Sequence, residues 1–190
     1  PLATEVIVAD LDSGVDYNHE DLAANMWTNA GETPDNNVDD DGNGYVDDIH
    51  GWDTLNDFNP GNGDPLENGD PMDDNGHGSH TSGTIAAVGN NAKGVVGLSW
   101  KWNVKIMAMK FLDTKGYGDD ADAIEAINYI LDMKTAGVNV RVVNASWGGA
   151  EYNQLLVNAI DALGTAGILF VASAGNQHMN TDDRPHYPGS

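Results

Sequence analysis

Apolar residues along the chain follow two periods. Short runs rich in β-branched and other apolar residues occupy 5–11 (EVIVADL), 104–110 (VKIMAMK), 138–145 (VNVRVVNA) and 168–172 (ILFVA), and each predicts a buried strand. Longer stretches at 77–88, 119–136 and 153–166 carry helical spacing. In the second of these, Ala123, Ile124, Ile127, Ile130 and Leu131 follow one another at intervals of 1, 3, 3 and 1, which lays a stripe down one side of a helix. Gly137 and Gly167 stand just past two of these helices, where a left-handed residue closes the last turn. Strands alternating with helices predict an α/β fold, a mostly parallel central sheet with helices on both faces.

Residues 29–76 break the alternation. They are rich in Asp, Asn, Gly and Pro and have no helical period. A loop this long is uncommon inside a compact domain unless it is functional or held by something else. It is read as an acidic insertion tied down by ions, within a single domain over 1–190.

Ligands bind at the carboxyl ends of the strands in such sheets. The first predicted strand delivers Asp12, Ser13 and Gly14 there. The third delivers Asn144, Ala145, Ser146, Trp147, Gly148 and Gly149, and the fourth Ser173, Ala174, Gly175 and Asn176. Polar residues beside glycines on one edge are the layout of an active site. The segment NGHGSHTSG (75–83) adds His77 and His80 among small residues. Three readings are open for the pair: metal ligands awaiting a third, a general base, or residues of a tight turn. Asp12, His77 and Asn176 together favour the base. A carboxylate fixes an imidazole tautomer, the imidazole takes a proton from a hydroxyl, and an amide stabilises an oxyanion.

Charge sharpens the picture. The net charge is −22, and the 92 residues before Lys93 hold no lysine or arginine. Such a surface repels nucleic acid and anionic lipid, and no apolar run is long enough to span a bilayer, so neither is expected as a partner. The absence of cysteine removes disulfides and thiolate metal sites. The excess of Asp over Glu in Asn/Gly-rich loops favours a divalent cation. From Asn37 the spacing fits a calcium loop: Asn37, Asp39 and Asp41 at positions 1, 3 and 5, Gly42 at 6, Asn43 at 7 and Asp48 at 12. Asp in place of the final Glu, and Gly44 in place of the usual apolar residue, argue for an isolated loop without flanking helices. The plain alternative is a solvated acidic loop. Gly116, Gly118 and Ala121 fit a dinucleotide GxGxxA pattern, but Asp119 and Asp120 at the helix mouth would repel a pyrophosphate, and that reading is rejected.

The stretches VIVADLDSGVDYNHEDL, NGHGSHTSGTIAA, NNAKGVVGLS, VKIMAMKFLDTKGYG, VNASWGG, VASAGN and YPG, in this order, resemble the subtilisin-like serine proteases, the subtilases. The resemblance covers nearly the whole chain outside the acidic insertion. It implies a subtilisin-like fold, with His77 as general base, Asp12 as its orienting carboxylate, Asn176 as oxyanion donor and His80 as structural. It implies that Gly116, Tyr117 and Gly118 form an edge on which an extended peptide adds as a strand. Ser146, Trp147 and Gly148 would then form the opposite side and a wall of the specificity pocket. Asn91, in a segment resembling the family's other calcium loop, would be a further ligand. The implied cofactor is structural Ca2+, the partner a polypeptide substrate, and the location extracellular.

Two departures stand out. Asp10 replaces an apolar residue and shares a strand face with Asp12; two close carboxylates raise one pKa unless a donor or cation intervenes. The family's nucleophile sits in a Gly-Thr-Ser-Met-Ala-like motif that these 190 residues lack. Pro1–Asp10 also lacks a basic start and a cleavage site. The expectation is a mature or excised piece of a serine endopeptidase whose serine, in the remaining C-terminal part of its catalytic domain, lies outside it. The alternatives are a calcium-binding peptide-recognition module and a pseudoprotease without the nucleophile.

Overall fold

The structure, a computed structural model, describes residues 4–55, 67–149 and 151–190. Five strands, β1 (Val6–Asp12), β2 (Gly51–Asp53), β3 (Val104–Lys110), β4 (Val140–Ala145) and β5 (Leu169–Ala172), form one sheet in the order β2-β3-β1-β4-β5. Every pairing is parallel. Three helices connect them: α1 (His77–Ala86), α2 (Asp120–Thr135) and α3 (Gln154–Thr165). The chain passes from β1 to the edge strand β2 and returns through α1 to β3, which lies between them; β4 and β5 are then added on the other side of β1. β1 is therefore the point at which strand order reverses, and its carboxyl end faces a crevice.

The pleat of β1 divides the core. Ile7, Ala9 and Leu11 pack with Ala123, Ile127, Ile130, Leu156 and Leu163 of α2 and α3, whereas Val8 packs with Ile106, Ala108 and Ala86 on the α1 side. Burying each large aliphatic side chain fully is worth about 2 kcal/mol, so the two-residue alternation strongly specifies the register. Asp10 and Asp12 fall on the α1 face by the same alternation. α2 and α3 close as the glycines predict. Gly137 (φ +103°) and Gly167 (φ +74°) are left-handed, and Val138 and Ile168 donate their N–H groups back to the Met133 and Leu163 carbonyls.

The stretch 29–76 is not wholly insertion, because it contains strand β2. This edge strand is three residues long, below the length at which alternation is readable, and tertiary contacts specify it. A Cβ on Gly51 would lie 1.8 Å from the Ala108 carbonyl oxygen, so only glycine admits this approach. Buried Trp52 lies parallel to Tyr129 of α2 at 6.4 Å. Residues 56–66 of the same stretch lie outside the described residues.

Asp53, at the end of β2, is pushed up to about 7 by burial, with Asp74 and Asp70 adding to the effect, against the Leu55 N–H and Lys110. Its ordinary value is 3.8, so between about pH 4 and pH 7 the folded chain keeps a proton that the unfolded chain has released. Stability therefore falls as pH rises through that window. Asp53→Asn is expected to be more stable than the parent by about 2 kcal/mol at pH 8 and equal to it below pH 4, measured by denaturant melts at both pH values.

Candidate active site

Asp12 is the last residue of β1 and is fully buried. Its Oδ1 accepts the Ser13 N–H at 2.7 Å. His77 opens α1, and its Nδ1 lies 2.7 Å from Asp12 Oδ1 and 2.9 Å from Oδ2. That bond fixes the tautomer: Nδ1 carries the proton toward the carboxylate, and Nε2 presents a lone pair. The His77 side chain is 49% exposed, and no hydrogen bond to its Nε2 is found among the described residues. The pair is thus an imidazole held by a buried carboxylate, with one face of the ring open.

The surroundings of His77 are held from behind. Asp73, three residues ahead of the left-handed Gly76 (φ +96°), accepts the N–H groups of Asn75 and Gly76 on Oδ1 and the N–H and hydroxyl of Ser79 on Oδ2. Ser13 Oγ donates to Asp73 Oδ1 and accepts the Gly78 N–H. Burial works against ionisation of Asp73, but Ser79 and these N–H groups outweigh it and hold the carboxyl below its ordinary range. Asp73 caps α1 from outside the helix and ties its first turn to β1. The sequence signal for it, an Asp before a small-residue helix, is hidden among other acids.

Asp10 has its partners too. Its Oδ2 accepts from the hydroxyls of Thr81 (2.8 Å) and Ser82 on α1, and its Oδ1 from Asn144 Nδ2 of β4 (2.8 Å). Burial, then the Asp12 charge, push it up to about 6 against the Ser82, Asn144 and Thr81 hydrogen bonds. Donors intervene, and the carboxyl is still raised.

An open cleft of about 590 Å³ runs past the carboxyl ends of β3 and β4. Its lining brings together Gly116, Tyr117 and Gly118 on one side and Trp147 and Gly148 on the other, with Tyr187 beside them. The Asp113 carboxylate shapes the first segment by accepting the Lys115 and Tyr117 N–H groups. The second is bridged by Gly149 and Tyr187, which exchange backbone hydrogen bonds of 2.7 and 2.8 Å. Ser146 does not line the cleft; its Oγ accepts from Asn144 at 3.0 Å. Asn176 follows β5 on the same edge of the sheet, two strands from β1, and is exposed. No hydrogen bond joins it to Asp12 or His77.

A family model described as the subtilase family matches residues 3–190. The chain belongs to the subtilase family. It is 39% identical over 167 residues to subtilisin-like protease 1 of Plasmodium berghei (strain Anka), covering 87% of this chain and 25% of that protein. It is 33% identical over 179 residues to the thermophilic serine proteinase of Bacillus sp. (strain AK1), covering 94% of this chain and 35% of that one. Among solved structures it superposes on S41 psychrophilic protease with a TM-score of 0.70 at 29% identity, covering 97% of this chain and 50% of that one. Sphericase gives 0.70 at 26% identity, with 93% and 48% covered. The chain thus spans about a quarter of the length of the first of these relatives.

In this subtilase the acidic loop closes around carboxylates. Glu32, Asp39 and Asp41 each bring an oxygen within 4.8 Å of the others. Asp39 accepts the N–H groups of Gly42, Asn43 and Gly44, and Asp41 Oδ1 that of Asn43. Counting Asp39 as position 1 places Asp41 at 3, Asn43 at 5 and Gly44, with φ +97°, at the sharp turn. Asp39 is the residue that gathers the turn's N–H groups. Asn37 instead donates its own N–H to Asp47. Asp48 is buried and accepts from Tyr129, Asn29 and Asn43; burial pushes it up to about 6 despite these bonds. Glu32 was outside the predicted loop, and its distance from the motif hid it. Asn91 gives its Nδ2–H to Asp21, which also accepts the Val95 N–H; Asp21 is the carboxylate that organises this second loop. His80 is exposed, and among the described residues no third His or carboxylate ligand atom joins it and His77.

Gly78 and Gly83 test how closely α1 must approach β1. A Cβ on Gly78 would lie 2.0 Å from the Gly14 carbonyl oxygen, whereas one on Gly83 meets nothing within 4 Å. Gly78→Ala is expected to destabilise by about 3 kcal/mol and Gly83→Ala to stabilise by up to about 1 kcal/mol, read from denaturation midpoints.

Proposed function

We propose that residues 1–190 supply the general base, its orienting carboxylate and part of the peptide groove of a serine endopeptidase. The nucleophilic serine lies outside these residues. The carrying observation is the 2.7 Å bond from His77 Nδ1 to buried Asp12, which leaves Nε2 on the open side of the ring. In the reaction, Nε2 takes the proton of the serine hydroxyl as its oxygen attacks the scissile carbonyl. Asp12 stabilises the imidazolium that forms, and the Asn176 amide donates to the oxyanion. His77 then passes the proton to the departing amine, and water hydrolyses the acyl-enzyme by the same route. An extended substrate adds its backbone between Gly116, Tyr117 and Gly118 and the facing Trp147 and Gly148.

Exposed apolar residues support a larger whole. Leu169 and Val171 are exposed on edge strand β5, and Val95, Val96 and Leu98 are exposed near α1. The rest of the catalytic domain is the partner that covers them. No described helix is long and apolar enough to cross a membrane. We read the protein as secreted, on family resemblance.

The acidic loop fits a structural Ca2+ ion. Three carboxylates with oxygens within 4.8 Å repel one another unless a cation sits among them. Glu32, Asp39, Asp41 and Asn43 would hold it, with Asp48 behind through Asn43, and Asn91 beside Asp21 in the second loop.

In the full-length protein, His77→Ala is expected to lower kcat by about 10⁶, the size of this effect in a subtilisin, and to abolish labelling by a fluorophosphonate that wild type takes up. A wild-type protein that binds peptides and resists the fluorophosphonate would be a pseudoprotease. Chelation by EGTA is expected to lower the thermal midpoint by several degrees, with recovery in Ca2+; Glu32→Gln should show a smaller response to the chelator.

A further inference from the structure

Asp10 is a fully buried carboxyl that the reaction above does not use, although it lies two residues from Asp12 on the same strand face. Its three donors belong to the elements that build the site: Thr81 and Ser82 to α1, which carries His77, and Asn144 to β4, whose amide also reaches Ser146. The two hydroxyls allow both charge states. Against an ionised Asp10, Thr81 and Ser82 both donate. Against a protonated one, Thr81 turns its hydrogen to the Gly78 carbonyl at 2.9 Å and accepts from Asp10. No side chain has to move, only hydroxyl hydrogens.

We propose that Asp10 is a positioning residue for the Asp12–His77 pair, holding α1 against β1 and placing a second carboxyl behind the base. The inference rests on the reading of His77 as general base. The charge environment is simple. Asp12 is the charged neighbour on β1, α1 presents two hydroxyls, β4 an amide, and Ala108 of β3 is the register partner. Lys110 of β3 is committed to Asp74 and to the Ser13 and Leu112 carbonyls. Around His77, Asp73 is tied to the first turn of α1, and Asp12 is its direct partner. Burial and the Asp12 charge bring the titration of Asp10 to about 6, so its charge is switched on as pH rises toward neutrality. When on, it favours the imidazolium that catalysis must form; when off, that support is lost.

The test uses the full-length protein and Asp10→Asn, which mimics the neutral carboxyl in shape and donor pattern. Removing the charge is expected to shift the acid limb of kcat/KM, and the midpoint of the His77 ring titration followed by NMR, downward by about 0.5 pH unit. Ser82→Ala, which withdraws one donor from the ionised carboxyl, should move both the same way by less, and serves if Asp10→Asn does not fold. A change in kcat or thermal midpoint with neither midpoint displaced would make Asp10 merely structural and overturn the proposal. The ring titration keeps the two readings apart. A protein without peptidase activity whose His77 midpoint still moves would refute the protease reading alone.

Discussion

A carboxylate with no exposure to water is expensive to ionise unless its lone pairs are met, and Asp12 meets them with the Ser13 N–H and both contacts to His77 Nδ1. Much of the neighbouring structure serves this bond. The parallel sheet puts Asp12 at the end of its central strand. Gly78 lets α1 approach the backbone at Gly14, and Asp73 anchors the helix start so that the ring cannot drift. Hydrogen bonds to a charged group are about twice as strong as neutral ones, which is why a single pair can justify so much supporting architecture.

Acidity in this chain is more than a solvated coat. Several of its carboxylates act as acceptors for their own loop N–H groups: Asp73 before α1, Asp113 before the Tyr117 turn, Asp39 and Glu32 in the long loop. Composition alone counts these with the surface charge. The difference lies in local geometry, since a short Asp side chain reaches the amide two residues on without leaving its turn. The same carboxylates thus carry the net charge and shape the turns in which they sit.

How much of this was legible depends on the range of the interaction concerned. The four long strands and three helices follow from local apolar period, and their ends differ from the expected ones by no more than two residues. Asp12 and His77 were legible because the surrounding glycines and hydroxyls mark a crowded backbone. Strand β2 was not, being short and dictated by the approach of Gly51 to Ala108. The donors to Asp10 come from 71 to 134 positions away, and no local pattern pairs them. The acidic loop was recognised by its repeat of oxygen donors, but a repeat with period two permits more than one starting point. The turn's N–H groups gather at Asp39, which the spacing of oxygen donors does not reveal.

His77 and Asp12 are 65 positions apart, with the acidic loop and β2 strung between them. No local sequence brings the two groups together, so the pair forms only where α1 docks on β1. During biosynthesis the newly made polypeptide would carry both groups in unconnected segments. The pair is therefore a product of the tertiary fold, and a change that lifts α1 from β1 parts the carboxylate from the ring without altering either residue.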